Sequence, residues 1–248
     1  MDSESLIKSV KGWFAPSRGA IDDDPLLGLD VPQKEELVPY DLRLPLVAVD
    51  GFRRTLVSAP TSDDLADRQE YLEALTAESG RLSRLFNDLR SLTIISKKPL
   101  KPEDVNLSTI ARSAARKLRR SRPDRQVTFS IASGVTARGD EKLLRVLVEE
   151  LLDNSWKFTR RRRKPRIEFG TNEIDGQTVY FVLDNGAGFD MADYDRLFGL
   201  FMRLHSMTEF EGTGVGLATV RAAVQRHGGN VWAEAHPGKG ATFFFTLS

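Results

Sequence analysis

The hydrophobic pattern of this chain changes character near residue 97, from one sustained helical seam to interleaved helical and strand periods, and that change most constrains its fold. Leu65, Arg68, Leu72, Leu75, Ser79, Leu82, Phe86 and Leu89 follow alternating steps of three and four, a heptad-like seam interrupted by two polar residues. Beyond Lys97-Lys-Pro-Leu-Lys-Pro102, apolar runs of strand length alternate with longer helical patterns. The expected architecture is therefore α+β, a helical hairpin followed by an α/β sandwich with one sheet face covered by helices.

The seam lies on the second of two helices read between residues 33 and 96. They are joined at Ser58-Ala-Pro60-Thr-Ser62-Asp63, which offers capping side chains to the second helix. A lone hairpin leaves its seam in water, so pairing two copies into a four-helix bundle is the economical solution, and a homodimer is expected. Residues 1–32 read as an amphipathic segment and linker: Leu6, Ile7, Val10, Trp13 and Phe14 recur at helical spacing before Pro16 and Asp22-Asp-Asp-Pro25 break the pattern. Residues 103–248 make the α/β region. Helices are expected at about 107–120, 140–159 and 214–227, and strands at 126–131, 166–172, 177–184, 230–236 and 241–247, the last two joined through His236-Pro-Gly-Lys-Gly240.

Composition removes several function classes. The 248 residues include no cysteine, which excludes disulfides, thiolate metal sites and cysteine nucleophiles. No apolar run approaches the roughly 20 residues that span a bilayer, and no signal peptide is readable, so a cytoplasmic protein is expected. The formal net charge is +1, which argues against a nucleic-acid partner despite the basic runs Arg116–Arg122 and Arg160–Lys164.

Three motifs carry chemistry. Glu150, Asn154 and Lys157 share one face of the helix at 140–159, with Leu147, Leu151 and Phe158 as its buried stripe; an acid, an amide oxygen and an ammonium suit Mg²⁺ and phosphate oxygens. Leu183-Asp-Asn-Gly-Ala-Gly-Phe189 ends an apolar strand with a carboxylate and two glycines, Gly186 and Gly188, a combination that lets backbone approach a flat ligand. Gly212-Thr-Gly-Val-Gly-Leu217, with Gly212, Gly214 and Gly216, opens a helix whose free amides form an anion cradle.

In order and spacing, these motifs and Phe198-Gly-Leu-Phe201 resemble the N, G1, F and G2 boxes of sensor histidine kinases. That family shares its GHKL-type ATP-binding domain with gyrase, the Hsp90 chaperones and MutL. Phe201-Met-Arg-Leu-His205 is similar to phytochrome-type kinases in wording, and Gly240-Ala-Thr242-Phe-Phe-Phe resembles the family's closing strand. The resemblance implies ATP and Mg²⁺ as cofactors: Asn154 on Mg²⁺, Lys157 on a phosphate, Asp184 on the adenine amino group and Gly186 and Gly188 lining its pocket. It also implies a lid over 199–214, Gly212, Gly214 and Gly216 around the phosphates, and Thr242 beside Asp184 beneath the adenine. The implied partners are a response regulator or a partner histidine kinase.

The chain departs from the family in the hairpin. The phosphoacceptor motif would begin with histidine; here it reads Tyr40-Asp41-Leu42-Arg43-Leu44-Pro45-Leu46. The three histidines are His205, His227 and His236, so residues 1–204 contain none. A neutral imidazole offers a lone pair near pH 7, whereas a phenol of pKa about 10 is about one part in a thousand ionised there. Asp41 could serve Tyr40 as a base. Leu44 stands where the family often has Thr or Asn to position a dephosphorylating water, and Pro39 marks a helix start or kink. Glu150 stands where kinases usually carry asparagine and where the hydrolytic branch of the superfamily carries a water-activating glutamate. Two readings result: a nucleotide-binding scaffold or regulator without histidine autophosphorylation, or an ATPase or kinase using Glu150 or Tyr40, or acting on a partner's histidine.

Overall fold

The structure is a computed structural model that describes residues 68–77, 79–80, 83 and 99–248, apart from 201, 206–208 and 211. Residues 68–77 are helical, inside the second expected helix of the hairpin. Apart from residues 79–80 and 83, which are also helical, the rest of that hairpin, with Tyr40, Asp41 and the segment 1–32, lies outside the described residues.

The α/β unit contains β1 (Pro102–Asn106), α1 (Leu107–Ser121), β2 (Thr128–Ile131), β3 (Thr136–Asp140), α2 (Glu141–Phe158), β4 (Arg166–Ile174), β5 (Gln177–Asp184), α3 (Gly216–Arg226), β6 (Val231–His236) and β7 (Gly240–Phe245). A 3-10 helix, Met191–Arg196, lies between β5 and α3. Five strands form a mixed sheet in the order β2-β4-β5-β7-β6; only β2 and β4 run parallel. The expected β6–β7 hairpin is present, with His236 opposite Gly240.

Two strands carry no strand signal in the sequence. Residues 102–106, expected to begin just past a linker, pair antiparallel with 136–140 in a separate two-stranded sheet. Thr-Ala-Arg-Gly-Asp has too little apolar alternation to read as a strand; β1 on one side and the ties made by Asp140 at its end hold it in place. Asp140 closes β3 and caps α2, its carboxylate accepting from the Lys142 and Leu143 amides. Its own N–H donates to Nε2 of buried His227, at the end of α3, at 3.0 Å. Gly139 is required beside it, because a Cβ there would lie 2.7 Å from the imidazole.

The helices cover one sheet face. Leu144, Leu147, Leu151 and Leu152 of α2 are fully buried against Ile167, Phe169, Val182, Phe243 and Phe245. Each such side chain contributes about 1.5–3 kcal/mol relative to exposure. Residues of opposite strand parity, Val179, Phe181, Trp232 and Phe244, form a second apolar cluster on the other face. Every second residue of β5 and β7 therefore faces α2, and this parity decides which side chains reach the site.

Candidate nucleotide site

A cleft of about 880 Å³ opens between α2, the end of β5 and the segment leading into α3. Glu150, Asn154, Lys157, Asp184, Gly188, Gly212, Gly214 and Gly216 all line it, so three motifs far apart in sequence meet in one place.

Lys157 donates to Asn154 Oδ1 at 3.1 Å, and its ammonium lies 4.4 Å from the centre of the Phe158 ring. Asn154 is buried, and among the described residues its Nδ2 has no hydrogen-bond partner. A buried amide without a partner is costly unless a ligand or water satisfies it. Glu150 reaches the start of α3: its Oε2 lies 2.6 Å from where a Cβ on Gly216 would be. These oxygen donors and the ammonium fit a hydrated Mg²⁺ and its phosphate oxygens, because Mg²⁺ takes only one or two protein oxygens beside substrate phosphates.

Asp184 is the last residue of β5, opposite Ile167 and Ala241. Its Oδ1 accepts from Gly186 N at 2.7 Å. Burial pushes its carboxyl up to about 6; the amides of Gly186 and Ala241, the Ser155 hydroxyl and the Arg162 charge all oppose that shift. The Ser155 hydroxyl is fully buried and favours the charged form of Asp184, while among the described residues it has no partner within hydrogen-bond distance. Gly188 adopts φ +64°, and a Cβ there would lie 2.0 Å from His236 O, so only glycine lets this loop pass the β6–β7 turn.

Two expected positions are corrected. Thr242 is not the partner of Asp184: it pairs with Leu183 and lies in register with Glu168 and Glu234, one strand position off the Asp184–Ala241 pair and of opposite parity. The residue opposite Asp184 is Ala241, which does line the cleft. Phe158 is not part of the buried stripe of α2; it is half-buried and forms a cleft wall with His205 and Phe210, at centroid distances of 5.3 and 5.0 Å.

The expected lid segment contributes further residues that the motifs did not single out. His205 Nε2 lies 2.9 Å from Gly188 O, and Arg203 donates to the carbonyls of Phe210 and Gly212. Arg203 and His205 belong to the phytochrome-like stretch of sequence, but nothing in their spacing marks them as cleft residues. Ser155 and Ala241 gave no signal of their own, being small residues whose neighbours Asn154, Lys157 and Thr242 drew the functional reading.

A mixed sheet layered with helices, a strand-end aspartate and a glycine-rich approach to a helix start define the class: a GHKL-type ATP-binding domain. Residues 139–248 match the family described as histidine kinase-, DNA gyrase B- and HSP90-like ATPase. The chain is 33% identical over 214 residues to the methanogenesis regulatory histidine kinase FilI of Methanothrix harundinacea (strain 6Ac), covering 85% of this chain and 24% of that protein. Against the phytochrome-like protein Cph1 of Synechocystis sp. (strain ATCC 27184 / PCC 6803 / Kazusa) it is 23% identical over 218 residues, covering 88% and 29%. Among solved structures, full-length ShkA in complex with AMPPNP matches with a TM-score of 0.58 at 25% identity, over 84% of this chain and 43% of that one. The domain is that of the histidine kinases of two-component systems and is homologous to the domain of phytochrome-like kinases. The chain spans about a quarter of the length of these curated relatives. Among the described residues, no helix is long and apolar enough to cross a membrane.

Proposed function

We propose that this chain is a cytoplasmic two-component signalling protein, a histidine-kinase homologue that binds Mg-ATP without phosphorylating itself on histidine. It acts as a scaffold or regulator, docking a response regulator or partner kinase on a homodimeric hairpin of residues 33–96. The observation that carries this reading is a conflict within one chain. Glu150, Asn154, Lys157 and Asp184, side chains suited to a magnesium nucleotide, line one cleft, whereas the phosphoacceptor-like motif begins with Tyr40 and residues 1–204 contain no histidine.

In this reading the adenine amino group donates to Asp184, Gly186 and Gly188 admit the ring, and Phe158 supplies an aromatic wall. Lys157 and the amides around Gly212, Gly214 and Gly216 take the phosphates, and Asn154 with Glu150 hold Mg²⁺, which when bound screens phosphate charge. The test is labelling with [γ-³²P]ATP, alongside calorimetry with Mg-AMPPNP. Micromolar binding that Asn154→Ala abolishes, with no label in wild type or Tyr40→Phe, supports the scaffold. Label lost in Tyr40→Phe alone overturns it in favour of a tyrosine-directed kinase.

The placement of Glu150 favours a second reading, slow ATP hydrolysis. Its carboxylate lies against Gly216, at the start of the helix expected to carry the phosphates, where it could activate a water. Phosphate release that Glu150→Gln removes while Mg-AMPPNP binding persists would establish it.

A further inference from the structure

The basic run Arg160–Lys164 follows α2 and has no place in the nucleotide reading above. Its members do not behave alike. Arg160, Arg161, Arg163 and Lys164 are exposed, whereas Arg162 is half-buried and turned inward. The Nη2 of Arg162 donates to Gly186 O at 2.6 Å and to Gly238 O at 2.5 Å. We propose that Arg162 is a positioning residue for adenine recognition, holding the loop Asp184–Gly188 against the β6–β7 turn so that the Asp184 carboxylate keeps its aim into the cleft. This inference rests on the assignment of Asp184 to the adenine amino group.

The geometry makes Gly186 the point of leverage. Its N–H donates to Asp184 Oδ1, and its carbonyl accepts from Arg162, so one peptide segment is gripped on the carboxylate side and on the guanidinium side. The turn that Arg162 also grips is joined to the same loop by Gly238 N donating to Ala187 O at 2.6 Å. Two further ties bring the end of α2 and its following turn onto this loop. Ala187 N donates to Phe158 O at 3.0 Å, and Asn185 Nδ2 donates to Lys164 O at 2.9 Å. Those ties anchor the loop at one edge; among the described residues, Arg162 alone bridges the carbonyls of Gly186 and Gly238. Two neutral carbonyls shared by one guanidinium end are charge-assisted bonds, stronger than neutral ones and directional. The Arg162 charge also favours the ionised form of Asp184, the form that accepts from an amino group.

Adenine presents an amino donor where guanine presents a carbonyl acceptor, so a well-aimed carboxylate acceptor discriminates between them. The experiment measures Mg-AMPPNP and Mg-GMPPNP affinities by calorimetry on the 248-residue chain. The variants are Arg162→Ala, Arg162→Gln and, as control, Asp184→Asn, each checked by circular dichroism. The expected result is an adenine-over-guanine preference reduced about tenfold in Arg162→Ala, with binding stoichiometry unchanged, and an intermediate loss in Arg162→Gln, whose amide can reach one carbonyl. Three outcomes overturn the inference while leaving the site assignment standing: an unchanged preference, an equal weakening of both nucleotides, or failure of both variants to fold. Wild type that binds no Mg-AMPPNP, or Asp184→Asn that binds like wild type, removes the site assignment and this inference with it.

Discussion

Asp184 is the residue at which binding and stability pull in opposite directions, and Asp184→Asn makes the conflict measurable. Burial raises its carboxyl from the ordinary 3.8 to about 6, net of the hydrogen bonds that favour the charge. The difference between those two values amounts to about 3 kcal/mol. Because the folded value lies above the unfolded one, the folded state holds the proton more tightly. Stability from this group is fully present below about 4 and is lost as pH rises through about 6. Asparagine imitates the neutral acid at every pH. In urea denaturation of the ligand-free chain, Asp184→Asn should exceed wild type by about 1–3 kcal/mol at pH 8, and the gap should shrink towards zero near pH 4. The same substitution should weaken Mg-AMPPNP at least 100-fold at pH 8, since the amide offers a donor where the adenine amino group needs an acceptor. A stability difference independent of pH, or wild type the more stable at pH 8, would refute the claim that the folded state burdens itself with a buried charge for the sake of its ligand.

Other expectations rest on single contacts. Wild-type affinity for Mg-AMPPNP should fall as pH drops through about 6, as the Asp184 carboxylate takes a proton, and calorimetry at pH 5 and 8 checks this. Asn154→Ala should remove Mg-dependent nucleotide binding with little loss of folding stability, because the buried amide it deletes has an Nδ2 without a partner among the described residues. Asp140→Ala should cost about 1 kcal/mol or more in urea denaturation, as α2 loses its cap on two amides. Gly188→Ala should abolish nucleotide binding and destabilise the domain, since its Cβ would collide with His236 O at 2.0 Å.

Most elements, though not β1 and β3, and the chemistries that are absent were legible in the amino-acid sequence. The 3.6 and 2 periodicities placed helices at about 107–120, 140–159 and 214–227, within two residues of the observed ends, and the five sheet strands to within a few residues, because each segment's burial pattern is a local property. Composition settled that residues 1–204 hold no histidine and the whole chain no cysteine. Which side chains share a site is a different kind of fact. Thr242 and Ala241 are neighbours in sequence, and only the β5–β7 register, with side chains alternating between faces, sends Ala241 to the cleft and Thr242 away from it. Strand β3 formed without a strand-like pattern because its partners are distant in sequence: residues 102–106 pair along it, and His227 holds Asp140 from 87 residues away. Arg162 looked like one charge in a solvated run until the fold brought Gly186 and Gly238, 24 and 76 residues distant, within reach of its guanidinium. A run of five basic residues has no periodicity that singles out its middle member; the closure of two distant loops around it does.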